Sequence, residues 1–276
     1  MNIIQRNFFR LIRIGAFEQK EQIEPMSVYK WGQLYQLAVM HNVAQYVYNG
    51  LLLCKDQFFL HLTDKQWQTW ENTIREIRKP SNDTEEEADE FLRADQLTNP
   101  LLNRRLQAIL DDEQSDIRTR QLLLTMIRVA RHILNKGIPI RQLVDLGIFL
   151  RTEGDRADFM TLEKWLKTLR LQQVAKLESS LLIELFGFEK EEMAFAGGKK
   201  DKNVEQVVQE LIEFTNTHVK DFYFSQDADN IFVHTSNGSA MLGHIRRSAR
   251  YFRYFPSETV TNFFASFAHS LSHIEE

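Results

Sequence analysis

The sequence predicts an all-α fold, a multi-helix bundle with at most one short β-hairpin near 222–236. Three observations carry that expectation. The 276 residues include 11 Gly and 5 Pro, where average usage would give about 19 and about 14, so turn-makers are scarce for the length. Apolar residues recur at three- and four-residue spacing along most of the chain. No alternation of strand and helix patterns runs through it, as a doubly wound sheet would require.

The elements follow in order. In the first seventeen residues Ile4, Phe8, Leu11 and Ile12 share one helical face. Arg6, Arg10 and Arg13 interrupt the apolar residues and no small-residue cleavage site follows, so the segment reads as a core helix rather than a signal peptide. Ser27 is placed to cap a helix over 27–40 whose inner face is Trp31, Leu34, Tyr35 and Ala38. Val43, Val47 and Leu51 continue the pattern over 42–53. Thr63 or Asp64 caps a helix over 63–78 that must end before Pro80. Asn99-Pro100 opens the next, with Leu102, Leu106 and Leu110 on one side.

Residues 115–136 carry the broadest stripe, Leu123, Met126, Ile127, Ala130, Ile133 and Leu134, closed by Gly137 and Pro139. Helices follow over 140–152, 160–170 and 172–187. Residues 196–202 read as a mobile Gly/Lys linker between a helical body, 1–195, and a C-terminal block, 203–276. In that block a helix near 203–216 precedes the single strand candidate, Asn230–His234. Two helices then close the chain, near 240–254 and 257–272. Val260, Phe263, Phe264, Phe267 and Leu271 are the expected buried face of the last.

Charge and composition exclude several classes. The net charge of −4 argues against a nucleic-acid binder. Most of the acidity sits in residues 81–95, which carry −6 and read as a solvated insertion; the rest of the chain is at +2. No stretch is long and apolar enough to span a membrane. The single cysteine, Cys54, cannot form an internal disulfide and fits a reducing, cytoplasmic setting.

The common catalytic signatures are missing. There is no phosphate-cradling G-x-x-x-x-G-K-[ST] or G-x-G-x-x-G loop and no G-x-S-x-G elbow. His269 and His273 lie at i, i+4 but lack a third ligand, so no metal site is expected. Two clusters suit an anionic ligand such as a phosphorylated small molecule. One is His132, Arg141 and Asp145, near a helix junction. The other is Arg246, Arg247 and Arg250, beside Tyr251 and Tyr254, where guanidinium forks gather on one helix. Arg141 and Asp145, four residues apart, could equally be a surface ion pair.

Three blocks together carry a family resemblance. The first runs from Trp31-Gly32-Gln33-Leu34 through Leu37-Ala38-Val39-Met40-His41-Asn42-Val43-Ala44 to Tyr48 and Leu51. The second joins Arg131-His132-Ile133-Leu134 to Gly137-Ile138-Pro139-Ile140-Arg141-Gln142-Leu143-Val144-Asp145, then Asp158-Phe159 and Leu162 to Leu166. The third is Ile245-Arg246-Arg247 with Tyr254-Phe255-Pro256-Ser257-Glu258. The chain resembles the uncharacterised nucleotidyltransferase-like family found in bacterial genomes, often among surface-polysaccharide genes. The resemblance spans roughly the first fifth and the last half of the sequence, and Gly137–Asp145 is its most specific part.

In that family the chemistry lies between the first two blocks. Its members have a strand ending in a Lys-Gly turn, then a Gly-Ser turn and an Asp-x-Asp pair on a neighbouring strand, and that pair holds two Mg²⁺ ions on the nucleotide phosphates. Here the interval from Cys54 to Leu124 contains no Gly and no Asp-x-Asp. Asp227-Ala228-Asp229 comes far too late, and Gly238-Ser239 has no paired aspartates after it. The resemblance therefore implies a helical relative without the catalytic sheet, and the expectation is that no residue is catalytic. Such a protein would serve as an interaction or accessory protein with a protein partner, linked to polysaccharide assembly. Mg²⁺ and a nucleotide enter only under the alternative of a retained enzyme with an unrecognised site. A phosphate-ligand-binding regulator is the third reading.

Overall fold

A computed structural model describes residues 1–78, 95–135, 140–196, 201–209 and 251–272. The fold is all-α, with no strand among the described residues. The hairpin expected near 222–236, the acidic insertion apart from Asp95, the stop at Gly137 and the helix near 240–250 lie outside them. Two compact units emerge. The described part of unit 1 is 1–78, 184–187 and 205–209; that of unit 2 is 95–135, 140–183, 188–196, 201–204 and 251–272.

Unit 1 is built on α1 (Ile3–Phe17), α2 (Val28–Met40), α3 (Ala44–Leu53) and α4 (Asp64–Arg78). Helix α1 starts with a reciprocal capping box. The Asn2 side chain accepts from the Gln5 amide at 3.0 Å, and the Gln5 side chain accepts from the Asn2 amide at 2.8 Å. Thr63 and Gln66 repeat the device ahead of α4, at 3.3 and 3.1 Å, which settles the cap on Thr63. Ser27 caps α2 as its sequence predicts. The core gathers Phe8, Leu11, Ile12, Trp31, Leu34, Ala38, Val47 and Leu51, all buried.

Helices α1 and α3 cross with their backbones touching. A Cβ on Gly15 would collide with the Tyr46 carbonyl oxygen, and one on Gly50 with that of Leu11. Only hydrogen fits at either position, so the two glycines set the distance between the helices. The segment 18–27 then folds back over α1. The Arg6 guanidinium donates twice to the Glu24 carboxylate at 2.6 and 2.8 Å, and Arg13 pairs with Glu21. Asn7 exchanges two hydrogen bonds with the Glu24 backbone, at 2.8 and 2.9 Å.

Unit 2 contains α5 (Pro100–Leu110), α6 (Ile117–Asn135), α7 (Ile140–Glu153), α8 (Phe159–Thr168), most of α9 (Gln172–Phe186) and α10 (Pro256–Ser272). Asn99 caps α5 through the Leu101 and Leu102 amides, with Pro100 at the first helical position. Every residue of the α6 stripe expected from sequence is buried. The part of α9 in this unit is buried nearly all round, with Val174, Ala175, Leu177, Leu181 and Leu182 in the interior.

Helix α10 departs from expectation. Phe264 is 65% exposed and Val260 is exposed, whereas Glu258, Thr259 and Asn262 face inward. The polar edge is turned in because Glu258 has charged and amide partners inside unit 2, described below. That anchoring outweighs the apolar periodicity of the helix. The side chains of Phe267 and Leu271 lie outside the described residues, as do residues 197–200 of the expected linker. Beside them Asp201 is buried; its amide donates to the Ser180 hydroxyl at 2.7 Å and its carboxylate accepts from the Tyr254 phenol at 3.1 Å.

Candidate functional site

The residues singled out in the second block lie where α6 ends and α7 begins. His132, near the end of α6, meets the Arg128 carbonyl through Nδ1 at 3.0 Å and the Gln142 amide nitrogen through Nε2 at 3.1 Å. Gln142 therefore ties the imidazole to the first turn of α7. One residue earlier, Arg141 Nε donates to both carboxylate oxygens of Asp145 at 3.0 Å. All three side chains are half-buried. Arg141 and Asp145 thus form the i, i+4 ion pair that their spacing allowed, and His132 reaches the same helix through Gln142. Arg246, Arg247 and Arg250, like His269 with its side chain and His273, lie outside the described residues or side chains.

A more enclosed constellation was not singled out by sequence. Glu258, in the first turn of α10, is 0% exposed, and Arg131 on α6 is 2% exposed. Arg131 Nη1 donates to Glu258 Oε1 at 3.1 Å and to the Gln96 carbonyl at 3.0 Å. The other donors to Glu258 are backbone amides at the start of α5, Thr98 at 2.6 Å and Asn99 at 2.9 Å. The hydroxyls of Thr98 and Thr261 meet alongside at 3.1 Å. One carboxylate therefore bridges the starts of two helices, where unsatisfied amides favour negative charge. Both charged residues stand within the second and third resemblance blocks, the only sequence signal for them.

Glu178 contrasts with Glu258. It lies on α9, fully buried, with no hydrogen-bond partner at either carboxylate oxygen among the described residues. Burial pushes its carboxyl well above the usual carboxylate range, which favours the neutral acid. Nothing in the sequence separates it from the exposed glutamates.

In unit 1 a cavity of about 600 Å³ lies against Ile14, Glu18, Gln19, Leu53, Cys54 and Gln57. The Gln57 side chain braces it by donating to the Glu21 carbonyl at 2.9 Å and to Cys54 Sγ at 3.4 Å. Burial, assisted by the Glu21 charge, pushes the Cys54 thiol up, which disfavours the nucleophilic thiolate. His41, from the first block, packs on Phe8 with ring centroids 6.0 Å apart. Burial pulls its pKa down to about 4, so it is neutral at pH 7.

No group of three or more His, Cys, Asp or Glu side chains able to hold a metal ion occurs among the described residues. No described helix is long and apolar enough to cross a membrane. No family model, curated protein or solved structure matches the chain.

Proposed function

We propose that this chain is a non-catalytic, helical relative of the nucleotidyltransferase-like family that works as an interaction or accessory protein beside polysaccharide assembly. The observation that carries the interaction reading is a set of exposed apolar side chains at the end of α3 and in the segment that follows it. Leu53 is 67% and Phe58 80% exposed, with Leu52 and Phe59 also open to solvent. The two phenylalanine rings sit edge to face, 5.3 Å apart. Large apolar groups left in water this close along the chain suit a surface that another molecule covers.

The chemistry of the resemblance blocks supports the non-catalytic half of the reading. Arg131 and Glu258 carry charge, yet both are sealed in a structural junction. The first block contributes Trp31, Leu34, Leu37, Ala38 and Val43 to the interior of unit 1. These residues act as packing and cap groups.

Calorimetry with Mg²⁺ and nucleoside triphosphates tests the reading. The expected result is no magnesium-dependent heat of binding; tight, magnesium-dependent binding overturns it. Replacing Phe58 and Leu53 by Ser should weaken capture of a partner and leave helicity unchanged.

A further inference from the structure

Helix α4 offers an aromatic arrangement that packing alone leaves unexplained. Its anchor is Trp70, which is buried and takes the Tyr35 ring edge-on at 4.9 Å and 89°. Tyr48, on α3, stacks on Trp70 at 6.3 Å and 24°. Trp67, one turn earlier on α4, stands at 72° to Tyr48 with 6.4 Å between centroids. Trp70 therefore fixes the plane of Tyr48, and Trp67 makes the second wall of a corner. Both walls are only half-buried. Glu71 follows Trp67 by four residues, on the same side of the helix, and is exposed. Burial raises the Tyr48 phenol and the Glu71 charge adds to that rise, while Arg78 acts in the opposite sense.

We propose that Tyr48, Trp67 and Glu71 form a recognition corner for a small quaternary ammonium ion. The indole of Trp67 and the phenol of Tyr48 stand at 72° with 6.4 Å between centroids, each half-buried ring offers a cation the negative potential of its face, and the Glu71 carboxylate adds a full charge on the same side of the helix. An alkylated ammonium ion fits such a corner better than a metal ion or a bare ammonium. Its methyl groups bury against the rings, and its diffuse charge costs less to strip of water. Among the described residues, Arg78 works against the cation. The inference needs neither catalysis nor a protein partner, so its failure leaves the interaction reading standing.

The test is a titration of the full chain with choline, followed through its four tryptophan indole N–H resonances. The Trp67 resonance is assigned as the one lost in Trp67→Leu, the other three reporting that this variant folds. Choline should move the Trp67 resonance saturably in the millimolar range, and the neutral isostere 3,3-dimethylbutan-1-ol should not. Glu71→Gln, at an exposed position, should weaken binding about threefold, and Arg78→Gln should strengthen it about twofold. Phosphocholine should bind more weakly than choline, because its phosphate meets Glu71. The proposal is overturned if the isostere moves the resonance equally, if phosphocholine binds tighter, if Glu71→Gln has no effect, or if choline moves nothing at about 0.1 M.

Discussion

The two units solve the same problem, holding helices at fixed distances, with opposite chemistry. Unit 1 brings α1 and α3 together by removing side chains, at Gly15 and Gly50, and ties down its loop with half-exposed Arg–Glu pairs. Unit 2 joins three helical elements through one carboxylate, Glu258, whose charge is entirely out of water. An ion pair at the surface exchanges its partners for water at little cost. A sealed one has no such exchange, so its loss strands a charge. Charged residues should therefore dominate the mutational sensitivity of unit 2, and backbone volume that of unit 1.

The largest expected effect is in unit 2. Glu258→Ala takes the counter-charge from buried Arg131 and the acceptor from two amides, and should cost about 3–5 kcal/mol in urea unfolding. Replacing Arg131 and Glu258 together by Met and Leu should recover part of that loss. A double variant no more stable than Glu258→Ala would contradict the account of the pair. Next comes the glycine crossing. Gly15→Ala or Gly50→Ala should cost about 3 kcal/mol or more, since the added methyl meets backbone rather than a movable side chain.

The third prediction has the opposite sign. Glu178 is raised in the fold, so the folded state holds its proton longer than the unfolded chain does. Stability is lost as pH rises above the ordinary value of 4.5. Glu178→Gln should then stabilise unit 2 by about 1 kcal/mol or more at pH 8 and change little at pH 4, as read from melting curves across that range.

His41 supplies a shallower slope in unit 1. Its folded pKa of about 4 lies below the ordinary 6.5, so the unfolded chain takes up the proton first. Stability should fall as pH drops from 6.5 to about 4, and His41→Gln should flatten that slope. The smallest effect belongs to the exposed network. Arg6 holds the Glu24 carboxyl down at about 2, so this contribution is lost as pH falls from 4.5 to about 2. Arg6→Ala should barely move the urea midpoint, and the difference should vanish in molar salt.

Fold class was legible because helices are written locally. Ser27, Thr63 and Asn99-Pro100 announce helix starts within four residues, and the α6 stripe repeats every three or four. The Arg141–Asp145 pair was legible for the same reason, lying one turn apart on a single helix. His132 was visible as a candidate, but its link to α7 through Gln142 was not, because it depends on how two helices meet. The inward face of α10 was misread for a related reason: the apolar pattern of the helix says nothing of a carboxylate drawn to Arg131 and to the start of α5.

The sequence by itself determined where the helices begin, how long they run and which faces are mostly apolar, since capping and periodicity act over one or two turns. Tertiary structure alone decided which glycines touch, which glutamate is sealed against an arginine 127 residues away, and which is buried with no partner among the described residues. Those outcomes depend on desolvation and on contacts between remote segments. A glutamate reads the same in sequence whether water, a guanidinium or a leucine surrounds it.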